Sequence, residues 1–271
     1  MNDLKFTFRQ LLKNPGFAAV AVLTLALGIG ATAAVCSLIQ GVLLTPSLYR
    51  KPEQLILITP ESLDRRRHGR GLYGKQWLEW QKKAKSFEAV AGYAWGFCFL
   101  LLPGGSESLQ GLAVTSDYFR VLGIQPALGR TFVDADGDPF ADESSPSVII
   151  LGHTLWQRSF NGDPSIIGRS IQLRRNASPP VTFTARVVGV MPPGIRFLPA
   201  PNEDDPNYDV DAQADYWFPL PTIPKWSWWS VAARLRDGTK LSQTQAELTA
   251  IAARQAQADR DLEGMTVRPN R

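Results

Sequence analysis

Residues 15–44, PGFAAVAVLTLALGIGATAAVCSLIQGVLL, decide how the rest of the chain is read. No Asp, Glu, Lys, Arg or His occurs from Asn14 to Tyr49. As a helix, the apolar heart from Gly16 to Leu44 rises about 43 Å at ~1.5 Å per residue, against a hydrocarbon core of about 30 Å. A tilted span, or a span continued as a stalk, accommodates that length. A buried core helix does not, because the run is too long and has no polar face. The stretch is expected to cross a membrane.

Upstream, Lys5, Arg9 and Lys13 recur every four residues, with Leu4, Phe8, Leu11 and Leu12 on another face. That pattern predicts a short amphipathic helix on the membrane surface, broken from the spanning helix by Asn14-Pro15-Gly16. Three basic residues against Asp3 give this end +2, and the whole chain is only +4. The positive-inside rule then keeps the N-terminus in the cytoplasm and places residues 50–271 outside. A cleaved signal peptide is the rival reading, with Ala31-Thr-Ala33 as the mimic of a cleavage site. The apolar run is about twice the usual 7–15 residues and continues past that site, so the rival fails. Ala26, Gly30 and Ala34 form a small-xxx-small stripe on which another membrane helix can pack closely.

The 271 residues are expected to divide into 1–49, carrying the two N-terminal helices, and 50–271, an α+β body with antiparallel strands and hairpins. Strands are expected at 55–59, 148–151 and 231–235, and a hairpin at 170–173 and 181–190. Helices are expected at 76–90, 118–122, 154–160 and 241–258. In the first of these, Trp77, Trp80, Ala84, Phe87 and Val90 line one face. Leu241, Leu248, Ile251 and Ala252 form the inner face of the last. Residues 198–224 hold six Pro and six acidic residues and read as a loop. The end, Gly264 to Arg271, is polar and reads as cut rather than finished.

Composition removes several classes of function. A mean hydropathy of −0.12 excludes a multi-spanning protein. The small, dispersed excess of 29 basic over 25 acidic residues does not point to nucleic acid. Two Cys and two His cannot build the usual four-ligand zinc site. Cys36, expected in the bilayer, and Cys98, expected as a small buried apolar residue, are not a disulfide pair.

Gly69-Arg-Gly-Leu-Tyr-Gly74-Lys75-Gln76 imitates a phosphate loop. It lacks the hydroxyl after the Lys, and Asp64-Arg-Arg-Arg-His-Gly replaces the strand that should enter it. Asp134-Ala-Asp136-Gly-Asp138 imitates a calcium loop, but Pro139 and Ser145 stand where Gly and a bidentate Glu are required. A solvated acidic loop is expected there. Glu203, Asp204, Asp205, Asp209, Asp211 and Asp215 have spacings that fit no metal site. No G-x-S-x-G occurs, and His68 and His153 are the only imidazoles. Trp226, Trp228 and Trp229 make an aromatic patch that reads as hairpin core, the alternative being a surface for a ligand or for lipid. No enzyme, metal or cofactor is expected.

Phe8-Arg-Gln-Leu-Leu-Lys-Asn-Pro-Gly-Phe17, running into Leu25-Ala-Leu-Gly-Ile-Gly30, resembles the start of MacB/FtsX-type ABC transporter permeases. Among these it is most similar to the orphan permeases built from duplicated permease modules. Ser86-Phe87-Glu88, Val114-Thr-Ser-Asp-Tyr-Phe119 and Leu122-Gly-Ile-Gln-Pro-Ala-Leu-Gly-Arg130 look like successive blocks of the MacB-like periplasmic core domain. So do Leu155-Trp-Gln157, Gly162-Asp-Pro-Ser-Ile-Ile-Gly168 and Val187-Val-Gly-Val-Met-Pro-Pro-Gly194. Arg234-Leu-Arg-Asp-Gly238 with Gln245-Ala-Glu-Leu248 resembles the last block.

The resemblance implies a periplasmic domain carried on the first of four inner-membrane helices and moved by a cytoplasmic ABC ATPase. The partners it implies are that ATPase, the lipid bilayer, and a second copy or paired permease module. The three later helices do not follow here, so the expectation is an N-terminal permease piece. The alternative is a single-span anchored periplasmic binding or scaffold protein with no ATPase.

Overall fold

The computed structural model describes residues 15–42, 49–62, 72–136, 147–176, 178–196, 198, 213–220, 228–258 and 265–270. The chain divides into two units, Met1–Ser47 and Leu48–Arg271.

The first unit holds helix α1, Pro15–Val42. Val20, Val22, Leu23, Leu25, Leu27 and Ile29 are each 62–72% exposed on it. At about 100° per residue, the last five fall roughly 200, 300, 140, 340 and 180° around the axis from Val20, so apolar side chains surround the helix. A helix that is apolar all round is typical of a protein core or a bilayer. Its two described hydroxyls are satisfied internally: Thr24 Oγ1 donates to Val20 O and Thr32 Oγ1 to Gly28 O, each at 2.8 Å. Among the described residues no helix is long and apolar enough to cross a membrane. The expected surface helix before α1 lies outside the described residues.

The second unit is organised by one strand, β3 (Phe87–Leu102), whose 16 residues reach about 50 Å. Its first half pairs with β10 (Trp228–Leu235) and its second half with β4 (Gly105–Val114), both antiparallel. On the far side of β10 come β1 (Leu55–Ser62) and then β11 (Met265–Asn270), giving an open sheet. Phe87, before a register shift opposite Arg234–Leu235, and then the even-numbered β3 residues from Val90 face α2 (Gly74–Lys83) and α5 (Leu241–Ala258). There Val90 packs with Trp77, Trp80, Trp229, Leu248 and Ile251. Odd-numbered Ala89, Ala91 and Tyr93 face α3 (Tyr118–Leu122) on the other side. The alternation is what a strand covered on both faces requires.

Beyond Tyr93 the sheet rolls up. β4 pairs with β9 (Tyr216–Pro219), β9 with β6 (Ser147–Leu151), and β6 with β8 (Val181–Val190). β8 then pairs with β7 (Ser170–Arg175), and β7 returns to β3 at Phe99 and Leu100. These six strands form a closed ring, which removes free edges. The even face of β3 that met helices now looks inward, placing Cys98 and Leu100 with Leu109, Ile149, Leu173, Val187 and Phe218. Outside the ring lie the short β5 (Leu128–Gly129) on β8 and β2 (Leu72–Tyr73) on β10. Helix α4 (His153–Phe160) follows β6 and buries Leu155 in the ring's cluster.

Several expectations are corrected. The helix expected over 76–90 ends at Lys83, and Phe87 and Val90 belong to β3. They lie in one cluster with Trp77 and Trp80, so the apolar spacing is real while the element changes. The cause is distant in sequence: Glu247 of α5 accepts the backbone N–H of Lys85 and Ser86, drawing the chain off the helical path. The expected loop at 198–224 contains β9, all four residues of which are buried. The polar tail forms β11 against β1. Asp136 is no solvated loop residue; it is 7% exposed and bonded in two-pronged fashion to Arg130, at 2.7 and 2.8 Å.

Candidate functional site

The segment from Tyr49 to Gln54 brings the chain into the second unit. Lys51 sits at φ 46°, in the left-handed region, and a 3-10 turn at Pro52–Gln54 follows before β1. Exposed polar residues alone would leave such a segment loose. It is held instead by a cation buried inside a strand.

Arg234 interrupts the apolar run Val231-Ala-Ala-Arg-Leu235 and is 1% exposed. Its Nε donates to Val121 O at 2.8 Å, and its Nη1 to Arg50 O at 2.6 Å and Lys51 O at 3.4 Å. Burial lowers its pKa from the ordinary guanidinium value, and the field of Glu88 opposes the fall. One side chain therefore ties β10, the end of α3 and the incoming segment together. Gly123, at φ +71°, completes the cradle: a Cβ there would stand 2.5 Å from Arg50 Cβ and 3.2 Å from Arg234 Nη2.

The turn after β10 repeats the tie from its outer side. Asp237 accepts from Lys51 Nζ at 2.6 Å and from Gln54 Nε2. Lys51 and Gln54 hold its carboxyl below the usual carboxylate range. Arg236 donates from its backbone N–H to Ser86 O and from Nε to Lys85 O, each at 3.0 Å. Glu247 accepts from Lys85 N at 2.7 Å, Ser86 N at 3.0 Å and Ser86 Oγ at 2.5 Å. Burial raises the Glu247 pKa, but the Ser86 and Lys85 donors outweigh it and leave it lowered. Three of the quoted blocks thus converge on one place: 86–88, 122–130, and 234–238 with 245–248.

The charged groups of the arrangement are engaged by backbone carbonyls, backbone N–H groups, the Ser86 hydroxyl, the Gln54 amide and the Lys51–Asp237 ion pair. Among the described residues no group of three His, Cys, Asp or Glu could hold a metal.

The other sequence candidates are scattered. Ala26 and Gly30 are exposed on α1, while the Ala34 and Cys36 side chains lie outside the described residues. Cys98 is buried at 2%, and its thiol is pushed up to about 12, chiefly by burial. His153 opens α4 with its ring 5.6 Å from that of Trp156. Asp134 accepts from Ser116 Oγ at 2.5 Å. Asp215 pairs with Arg158 at 3.1 Å and accepts from Gln110 N at 3.0 Å. Trp229 is buried. His68, Trp226, Glu203, Asp204, Asp205, Asp209, Asp211, Asp138 and Gly69–Gly71 of the phosphate-loop mimic lie outside the described residues, while its Leu72–Tyr73 form β2 and Gly74–Gln76 start α2. Arg234 was missed as a functional residue. Its signal was a cation in the middle of an otherwise apolar strand.

Residues 18–251 match the MacB-like periplasmic core domain. The chain belongs to that family. Its body is similar to a domain of a protein described as a permease from Porphyromonas gingivalis (TM-score 0.55, 15% identity, 82% of this chain and 92% of that one). It is also similar to the periplasmic region of MacB from Actinobacillus actinomycetemcomitans (0.52, 12%, 82% and 93%). A third similar structure is the extracellular domain of the noncanonic ABC-type transporter YknZ from Gram-positive bacteria (0.53, 13%, 80% and 100%). At these identities the likeness is one of fold. No curated protein matches the chain.

Proposed function

We propose that this MacB-family chain is a permease subunit, or the N-terminal part of one, of a MacB/FtsX-type ABC transporter. In this reading α1 crosses the inner membrane with its N-terminus in the cytoplasm, and residues 50–271 are periplasmic. A separate cytoplasmic ATPase supplies the energy, and this chain catalyses nothing itself. A second copy or a paired permease module meets the lipid-embedded helix along Ala26, Gly30 and Ala34.

The observation that carries the reading is the tie at Arg234. A coupling element needs a stiff connection between the moving helix and the domain it drives. Arg50 and Lys51, the first residues of the body, are bonded to a buried side chain of a central strand and to Asp237 beyond it. Movement delivered to that segment is passed to β10 and α3 rather than absorbed by a slack linker.

The test uses membranes carrying the full chain, with protease added to the periplasmic side. ATP is expected to change cleavage within residues 50–271, and vanadate is expected to abolish the change. Cleavage indifferent to both would defeat coupling and leave a single-span anchored binding or scaffold protein. Release of the chain by alkaline carbonate would defeat the membrane helix itself.

A further inference from the structure

From Ala89 to Leu102, β3 carries no charged residue and is apolar on both faces. Its odd-numbered face is covered over only part of that length. Ala89, Ala91 and Tyr93 lie beneath α3. Trp95, Phe97, Phe99 and Leu101 continue the same row onto the outside of the ring, where Trp95 is 40% exposed and the other three are half-buried. A strand with one wet face is expected to be polar on it. The neighbouring strands obey that rule: Gln110, Ser108 and Ser106 of β4 stand opposite Phe97, Phe99 and Leu101. On the other side, Gln172 of β7 stands opposite Thr184 of β8 on the outward face. β3 departs from the rule, and leaves a single apolar row between polar ones.

The shape of the row selects what covers it. The ring has no free edge, so a partner cannot add a strand and must lie across the face. Outward side chains on a strand recur about every 6.6 Å, which makes the row about 20 Å long, with the polar rows about 4.8 Å to either side. An α-helix sets side chains i and i+4 about 6 Å apart and is about 10 Å across, so its apolar stripe fits one such row. A second copy laid row on row is too small an interface. Four side chains of at most ~250 Å² each, none more than 40% exposed, offer roughly 400 Å², against about 800 Å² per partner in a stable complex.

Arg174 sets the charge of the partner. It pairs with Phe99 across β7 and β3, and its guanidinium carbon lies 4.8 Å from the centre of the Phe99 ring. Phe97 meets that ring edge to face at 4.9 Å. The Arg174 Nε is buried without a hydrogen-bond partner among the described residues. No Asp or Glu stands among the described residues of β3, β4, β7 and β8 that share this outward face. A carboxylate brought by the partner would supply the missing acceptor.

We propose that the outer face of β3 from Trp95 to Leu101 receives an acidic amphipathic helix of a partner protein, its apolar stripe on the row and a carboxylate on Arg174. The surface lies wholly within the second unit and does not depend on the membrane reading of α1. The probe is a fluorescein-labelled Leu/Glu/Ala peptide of about 18 residues, long enough to be helical, with Leu along one face and Glu on its flanks. It is titrated by anisotropy onto the full chain in phosphatidylcholine nanodiscs, which leave no free detergent to occupy the row. Binding is expected, and Phe97→Thr with Phe99→Thr should weaken it about tenfold or more. Arg174→Gln, a surface change that spares the packing of the ring's interior, should weaken it about threefold to fivefold. Arg254→Gln, on the exposed side of α5, should leave it unchanged.

No binding by about 1 mM, or equal binding of the same peptide with Lys in place of Glu, would overturn the proposal. So would an equal loss in Arg174→Gln and Arg254→Gln. Benzoylphenylalanine placed at position 97 separates the other occupants. A photocrosslink to a second copy would assign the row to self-association, and one confined to a single chain would assign it to another segment of this protein. Either result also overturns the helix.

Discussion

The open sheet and the closed ring are built on the same strand, yet they treat their edges and charges in opposite ways. In the ring every strand has two neighbours, and its acids are answered. Arg158 reaches both Glu107 and Asp215, and those carboxylates more than offset burial and raise its pKa. In the open half, β11 is an edge, and Arg234 donates to carbonyls of Val121 and of the incoming segment rather than to an acid, while its buried Nη2 has no hydrogen-bond partner among the described residues. Lys82, Lys85 and Arg236 face a groove. The ring is arranged to keep its shape.

The largest expected effect falls in the ring. Phe218 is 1% exposed, with its ring 4.9 Å from Tyr216 and 5.7 Å from Phe183. Phe218→Ala is expected to cost about 3–5 kcal/mol, from lost burial plus the cavity left between strands that cannot collapse independently. Thermal unfolding of the full chain in detergent measures it. Amides at 97–101 are expected to lose hydrogen-exchange protection together. Loss confined to β9 would show that the ring is not one cooperative unit.

Arg234→Met comes second, at about 2–3 kcal/mol. It preserves much of the packed volume but leaves the carbonyls of Val121 and Arg50 without their donor. The distinguishing readout is local: the amides of Gln54 and Leu55, which donate to Lys51 O and Pro52 O, are expected to exchange much faster while those at 97–101 hold. If the ring loosened as much as in Phe218→Ala, the contrast between the halves would be wrong. If Gln54 and Leu55 stayed protected, the tie would not be at Arg234.

Much of this arrangement was legible in the sequence, and what was hidden had a common cause. The strands at 148–151 and 231–235 and the helix at 241–258 stood out because local pattern and burial agree there. β3 did not, because Trp77, Trp80, Ala84 and Phe87 keep a helical spacing across a boundary set by Glu247, about 160 residues away. β9 was hidden inside a Pro- and Asp-rich stretch, since its strand character comes from being clamped between β4 and β6. The site was legible only as residue blocks. That Gly123, Ser86, Arg234 and Glu247 meet at one place is a fact of topology, and no spacing along the chain encodes it.

Glu247 gives the smallest effect and the finest test of the open half. Its pKa is lowered in the folded chain, because the ionised carboxylate accepts from Lys85 N, Ser86 N and Ser86 Oγ. A carboxyl held low when folded stabilises above its unfolded value of about 4.3, and loses that contribution as pH falls through the folded value. Glu247→Gln keeps the shape but not the charge. It is expected to cost about 1 kcal/mol at pH 7, or roughly 2–4 °C in Tm for a body of this size. The gap from the parent should close in acid, since the parent is then protonated as well. A gap that stayed constant down to pH 3 would mean that Glu247 acts through shape alone. The break between α2 and β3 would then have to be assigned to the chain's own preference rather than to the reach of α5.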